Sequence, residues 1–289
     1  MNLLNIKNTI IIGTAQLGTN YGIANTNKNI FIKNKIELLE LCYKHNLHHF
    51  DTAYAYENSH KIIGKWIKKY NTSPIINTKI PNLQDNKNIE FYFHESLKQL
   101  NIINIKNLFL HNPLDWNKKE VKEFIINIIG KNQIAQFGLS IYETKEVIND
   151  PLIKILQIPG NIFNQDILLS EEINKFTSSG GKIQIRSVLI QGLLMMEPQV
   201  IPSNIQETKA GVSYFQDTAK ELNINKVHLA ILCINYLLPE AEIIIGVDNK
   251  TQVKDLLSID KSNIKNSDIK EILKECKAHA GEHWDPRNW

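Results

Sequence analysis

Eight short apolar runs, each followed by an amphipathic segment, constrain this chain more than any other feature. The runs are Thr9–Gly13, His49–Asp51, Ile75–Ile80, Ile105–Leu110, Ile134–Ile141, Ile153–Ile158, Lys182–Leu189 and Ile243–Val247. They are rich in Ile, Val, Leu and Phe, as strands buried on both faces must be. Helical periodicity covers about Asn34–His45, Ser59–Lys69, Asn88–Leu100, Asn117–Ile129, Glu143–Ile148, Glu171–Thr177, Lys209–Leu222, Lys226–Leu238 and Thr251–Leu257. Strand-helix alternation at this spacing implies parallel βαβ units. Eight units favour a closed α/β barrel of the (β/α)8, or TIM, type over an open doubly wound sheet.

Such a barrel takes about 250 residues. At 289 residues and 43% hydrophobic, the chain fits it as a single domain over 1–289. No strong linker interrupts it. Pro198–Ser203 reads as a long loop over the barrel mouth, and Ala278–Trp289 shows no clear periodicity. The net charge of +3 is scattered, so no nucleic-acid footprint appears. No apolar run approaches the roughly 18 residues of a membrane span, and no signal peptide is visible. Cys42, Cys233 and Cys276 are odd in number and widely spaced, which predicts free thiols in a cytoplasmic protein. Asn71-Thr72-Ser73 matches a glycosylation sequon, a chance match without a secretion signal. His45, His48 and His49 straddle a helix-strand turn, a poor spacing for a metal, so no metal site is expected.

Catalytic groups of a parallel barrel sit at the C-terminal ends of its strands. The second strand ends at Asp51, the third near Lys79 and the fourth at His111. Tyr56 follows Asp51 by five residues, close enough to bend over the same mouth. Each residue alone has a commoner structural explanation: a loop cap, a solvated lysine, a hydrogen-bonded core histidine, a rim aromatic. Together they form a coherent proton donor.

The segment Phe50-Asp51-Thr52-Ala53-Tyr54-Ala55-Tyr56, with Ser59 and Ile63-Gly64, resembles the aldo-keto reductase family. Thr78-Lys79 and Leu110-His111-Asn112-Pro113 match its lysine and histidine strand ends. The resemblance runs from about Ile11 to Leu257. It implies a catalytic tetrad of Asp51, Tyr56, Lys79 and His111, and an NAD(P)H-dependent reductase of aldehydes or ketones. A free tyrosine, with a pKa of about 10, is a poor acid at neutral pH. Lys79 is assigned to lower it, Asp51 to hold Lys79, and His111 to orient the substrate oxygen.

No Gly-x-Gly-x-x-Gly follows a strand, which disfavours a Rossmann site. The resemblance instead implies cofactor contacts at Gly13, Thr14, Ser140, Gln157, Arg186, Ser187, Leu189 and Gln191. At the adenosine end it implies Gly246, Asn249 and Gln252, although Asn249 equally suits a helix cap. The chain departs from the family pattern at Ile141, Arg186, Gly246 and Gln252. Arg186 stands where an aromatic usually stacks on the nicotinamide, and Gly246 and Gln252 stand where cations often hold a 2′-phosphate. The family prior is NADP(H), with NAD(H) left open. Tyr21, Tyr54 and Trp116 are expected to wall the substrate pocket. The partner is a small-molecule carbonyl compound, with a keto-sugar or nucleotide sugar as the named class. Two other readings stand beside this one: a cofactor-binding regulatory subunit, and a barrel aldolase with Lys79 as Schiff base, against which a paired and charged Lys79 argues. Oligomeric state is not legible.

Overall fold

Eight parallel strands close on themselves in sequence order, with β8 pairing back onto β1. The strands are β1 (Ile10–Gly13), β2 (His49–Asp51), β3 (Ile75–Ile80), β4 (Ile105–Leu110), β5 (Ile134–Ser140), β6 (Ile153–Pro159), β7 (Lys182–Arg186) and β8 (Glu242–Gly246). This computed structural model describes residues 9–19, 22–23, 32–83, 88–259, 264–279, 285, 287 and 289. The fold is the expected (β/α)8 barrel. Closure leaves no sheet edge, and each strand pairs with two neighbours.

The outer ring comprises α1 (Ile32–Lys44), α2 (Ser59–Tyr70), α3 (Ile89–Leu100), α4 (Lys119–Gly130), α5 (Glu171–Ser178), α6 (Lys209–Glu221), α7 (Lys226–Leu237), α8 (Lys250–Leu257) and α9 (Asn266–Ala278). Their starts follow the capping chemistry of the sequence. Asn88, Ser170, Asn225 and Asn249 each accept a backbone N–H of the first turn. Asn71 and Asn101 end α2 and α3 in the left-handed conformation.

Two parts of the ring differ from the sequence expectation. The expected helix Glu143–Ile148 is only a 3-10 turn, Thr144–Glu146, held by the Glu146 carboxylate on the N–H groups of Tyr142 and Glu143. The segment is too short to repay helix nucleation. Helix α9 was not expected. Its buried Ile269, Ile272, Leu273 and Cys276 form a stripe at helical spacing. That stripe packs on α6 and α7.

The barrel interior is polar for a fold of this type, which usually fills it with branched apolar side chains. Asn77, Asn107, Gln157 and Gln184 are all buried there. The apolar core lies mainly between strands and helices, as where Phe50 meets Trp66 at 5.2 Å between ring centroids. All three cysteines are free and buried.

Gly64 shows why a helix position that would ordinarily prefer alanine holds glycine. A Cβ there would lie 2.0 Å from the Gln99 carbonyl of α3. Gly64→Ala should therefore destabilise the protein by about 1–3 kcal/mol, through forced separation of α2 and α3. Urea unfolding measures this, and an unchanged midpoint would show that the helices can part freely.

Candidate active site

Strand ends β2 and β3 bring the first two expected residues into direct contact. The Lys79 ammonium donates to an Asp51 carboxylate oxygen at 2.6 Å and to the Thr52 carbonyl at 3.0 Å. Both side chains are almost fully buried. Tyr56 sits on the turn after β2, with the Lys79 nitrogen 5.3 Å from its ring centroid. The His111 ring stands edge-on to Tyr56 at 6.5 Å. All four expected residues thus converge at one mouth.

Buried hydroxyls hold the Tyr56 turn in place. Ser59 Oγ lies 3.0 Å from Thr14 Oγ1 and 3.0 Å from Thr52 Oγ1, tying the ends of β1 and β2 to the start of α2. Gly18 closes the turn from the other side. A Cβ on Gly18 would fall 1.7 Å from the Tyr56 carbonyl oxygen, so only glycine permits the approach.

Electrostatics at the mouth follow from dehydration. Burial raises the Tyr56 pKa, and the Asp51 carboxylate adds to it, while Arg186 opposes the rise. The expectation that Lys79 lowers this pKa is not met, because burial of the hydroxyl outweighs it and the Asp51 carboxylate adds to the rise. Burial also lowers Lys79, against the pull of Asp51. His111 is pushed down to about 4, by burial first and then by Lys79 and Arg186. Burial and Lys79 push His60 down to about 3 while its Nε2 pairs with Thr78 Oγ1 at 2.8 Å.

Behind the ion pair runs a chain of amides. Gln157 Nε2 donates to Asp51 at 2.8 Å and to Gln184 Oε1 at 3.2 Å. Asn77 also donates to Gln184 Oε1, and Gln184 Nε2 donates to Glu242 at 2.8 Å. Carboxylates only accept, so Asp51 and Glu242 fix which way the two glutamine amides face. Gln157 Oε1 is left buried without a partner among the described residues, as is Ser140 Oγ on the adjoining strand. These orphaned atoms suit the donor and acceptor of a carboxamide.

A cavity of about 420 Å³ opens beside the tetrad. It is lined by the expected Gly13, Thr14, Asp51, Tyr56, Arg186, Ser187, Leu189, Gln191, Gly246 and Gln252. Ser140 and Gln157 are not in its lining; Gln157 stands one hydrogen bond behind Asp51. Asn249 is not in the lining either, and its side chain caps α8 on the Gln252 N–H at 3.0 Å. The loop after β7 is strained: Ser187, Ile190 and Gln191 all have positive φ, a genuine outlier for buried, branched Ile190. Strain of this kind gathers at binding sites.

Arg186 does line the cavity, but it packs on Tyr142 at 4.1 Å and donates to the Ile141 carbonyl. Arg287 lies over the same ring at 4.4 Å and is paired with Asp285. The tail 283–289 resembles the ends of some bacterial family members, which implies that it closes over one side, and the contact of Arg287 with Tyr142 accords with that expectation.

Two expected substrate walls are corrected. Trp116 is 1% exposed, packs on Phe137 at 4.8 Å and donates to Asp150. The 3-10 turn Pro113–Asn117 rolls its indole into the core. Tyr54 packs on Tyr92 and His60 outside the cavity. Tyr21 lies outside the described residues. Cavity residues that sequence reasoning missed include Gln16, Lys226, Asp248 and Asp255. Gln16, Asp248 and Asp255 lie close in sequence to the expected Gly13, Thr14, Gly246, Asn249 and Gln252, whereas Lys226 sits on a helix that carried no such expectation.

A family model described as the aldo/keto reductase family matches residues 9–276. The chain belongs to the aldo-keto reductase family. Its barrel is similar to several solved structures. One is PA4992 of Pseudomonas aeruginosa, at TM-score 0.64 and 16% identity, covering 87% of this chain and 88% of that one. Another is Gox0644 in its apoform, at TM-score 0.68 and 12% identity, covering 96% and 90%. A third is the thermostable aldo-keto reductase Tm1743 in complex with the inhibitor epalrestat, at TM-score 0.71 and 16% identity, covering 92% and 94%. No curated protein matches. Membership of the aldo-keto reductases makes this an oxidoreductase of the nicotinamide-dependent, carbonyl-reducing class, and no helix among the described residues is long and apolar enough to cross a membrane.

Two outcomes test the site. Gly18→Ala should displace the Tyr56 turn and lower turnover by about 100-fold, since misplacement of a reacting group by 1 Å costs that much; steady-state kinetics beside a melting curve separate this from unfolding. His60 and His111 refuse protons in the fold that the unfolded chain binds below about 6.5. Their contribution to stability is complete above about 6.5 and is lost as pH falls toward about 4. An NMR titration that found either imidazole with a midpoint near 6.5 would contradict this.

Proposed function

We propose that this aldo-keto reductase reduces an aldehyde or ketone with a nicotinamide cofactor, Tyr56 giving the proton. The observation that carries this reading is the buried Lys79–Asp51 pair beside Tyr56 at the cavity wall. A reduced nicotinamide, when bound, supplies the hydride that no side chain can. Gly13, Thr14 and the loop Ser187–Gln191 would hold it, with the orphaned Ser140 and Gln157 atoms for its carboxamide.

The chain's own groups then do the rest. Tyr56 keeps its proton at neutral pH, because burial and Asp51 disfavour the phenolate. As negative charge grows on the substrate oxygen, that proton has somewhere to go. Lys79 stabilises the phenolate left behind, and Asp51 keeps the ammonium in place without an alternative position. His111, neutral at working pH, can donate an N–H to the same oxygen without adding charge.

The family most often takes NADP(H), with NAD(H) open; the adenosine end of the cavity decides between them. The substrate class is a keto-sugar or nucleotide sugar, a reading supported by the Arg186 guanidinium in the cavity wall, which suits a phosphate-bearing compound. A single barrel domain acting in the cytoplasm on a small molecule completes the proposal.

Tyr56→Phe removes the acid. Turnover should fall by about 10²–10⁴-fold, the usual share of a general acid, while cofactor affinity holds. The measurement is loss of reduced-cofactor absorbance against a panel of aldehydes and keto-sugars. Equal turnover by wild type and variant would remove Tyr56 from this role. Tight cofactor binding with no turnover on any carbonyl would favour a regulatory subunit.

A further inference from the structure

The cavity has two ends of different character. One end holds Asp51 and Tyr56. The other lies between the start of α7 and the rim of β8 and α8, where Lys226, Gly246, Asp248, Gln252 and Asp255 line it. On the reading of the cavity as a nicotinamide dinucleotide site, the adenosine ribose would lie at this second end.

We propose that Asp248 selects NAD(H) over NADP(H), by accepting a hydrogen bond from the adenosine ribose and repelling a 2′-phosphate. This rests on the reading of the cavity as a nicotinamide dinucleotide site. Asp248 Oδ1 is buried and has no partner among the described residues. A ribose hydroxyl is a donor and satisfies it. A 2′-phosphate brings negative charge and acceptor oxygens, and leaves it worse off. Burial raises the Asp248 pKa.

The remaining lining offers a phosphate little. Two carboxylates, Asp248 and Asp255, face one ammonium, Lys226, among the described residues of this end. Gly246 has no side chain and cannot gain one cheaply, since a Cβ there would lie 2.0 Å from Gln16 Nε2. Gln252 Oε1 accepts the Asp248 N–H at 2.6 Å, so the side chain offers a phosphate a neutral amide and no cation. Lys250 sits outside the lining, 3.9 Å from Glu37.

Like charges brought together at a binding site disfavour the complex, so discrimination of about tenfold or more is expected. The test is fluorescence titration of the full chain with NADH and with NADPH, for wild type and Asp248→Asn. Wild type should bind NADH about tenfold tighter or better. Asp248→Asn should narrow that ratio by about tenfold, chiefly through tighter NADPH, with its melting temperature confirming the fold. Asp248→Ser, which removes the charge and the reach, should narrow it likewise. Equal or tighter NADPH binding by wild type would overturn the selection, and an unmoved ratio in both variants would overturn the role of Asp248. Binding of neither cofactor by wild type would instead overturn the underlying reading of the cavity.

Discussion

An ammonium buried at the mouth of a barrel is the constraint on which the rest of this structure turns. Lys79 is 1% exposed, and a charge so placed costs several kcal/mol unless it is paired and hydrogen-bonded. Asp51 supplies the pair, and the Thr52 carbonyl a second acceptor. That requirement fixes the register of β2 against β3, because Asp51 must end one strand where Lys79 nears the end of the next. It also fixes Gln157, which completes the Asp51 carboxylate from across the barrel. Barrel closure follows the same logic: only a closed sheet brings the end of β6 opposite the end of β2.

Most of this architecture was legible because strands buried on both faces and capped helices leave periodic marks. The bounds of β3 and β4 were readable to the residue from their apolar runs. Asn88 and Asn249 announced the helices they cap. The convergence of Asp51, Tyr56, Lys79 and His111 at one mouth was legible for a topological reason, since parallel strands must present their ends together. Family motif and geometry reached the same four residues by separate routes.

What escaped depends on contacts distant in sequence. Trp116 stands five residues past His111, and nothing in that spacing says whether its indole turns to the cavity or to Phe137. The hydrogen bond to Asp150 decides it, across 34 residues. Arg186 was expected to stack on a cofactor ring, but Tyr142, in a turn whose helix did not form, offers it a closer aromatic face. Helix α9 lay beyond the eight units that the repeat pattern demanded. The direction of the Tyr56 shift escaped because burial, its largest cause, is set by packing around the mouth, which sequence order does not reveal.

The amide chain has a consequence of another kind. Asn77, Gln157 and Gln184 run through the middle of the barrel from Asp51 to Glu242, which opens β8 at the far end. An amide can be reversed with almost no change in shape, so packing alone does not say which end faces which way. Here two acceptors at opposite ends of the molecule settle the question for every member between them. The chain therefore behaves as a line of dominoes already tipped: one member cannot be turned without turning its neighbours. A residue at the floor of the barrel, far from the cavity, thereby takes part in deciding which atom Gln157 leaves free beside the Asp51 carboxylate.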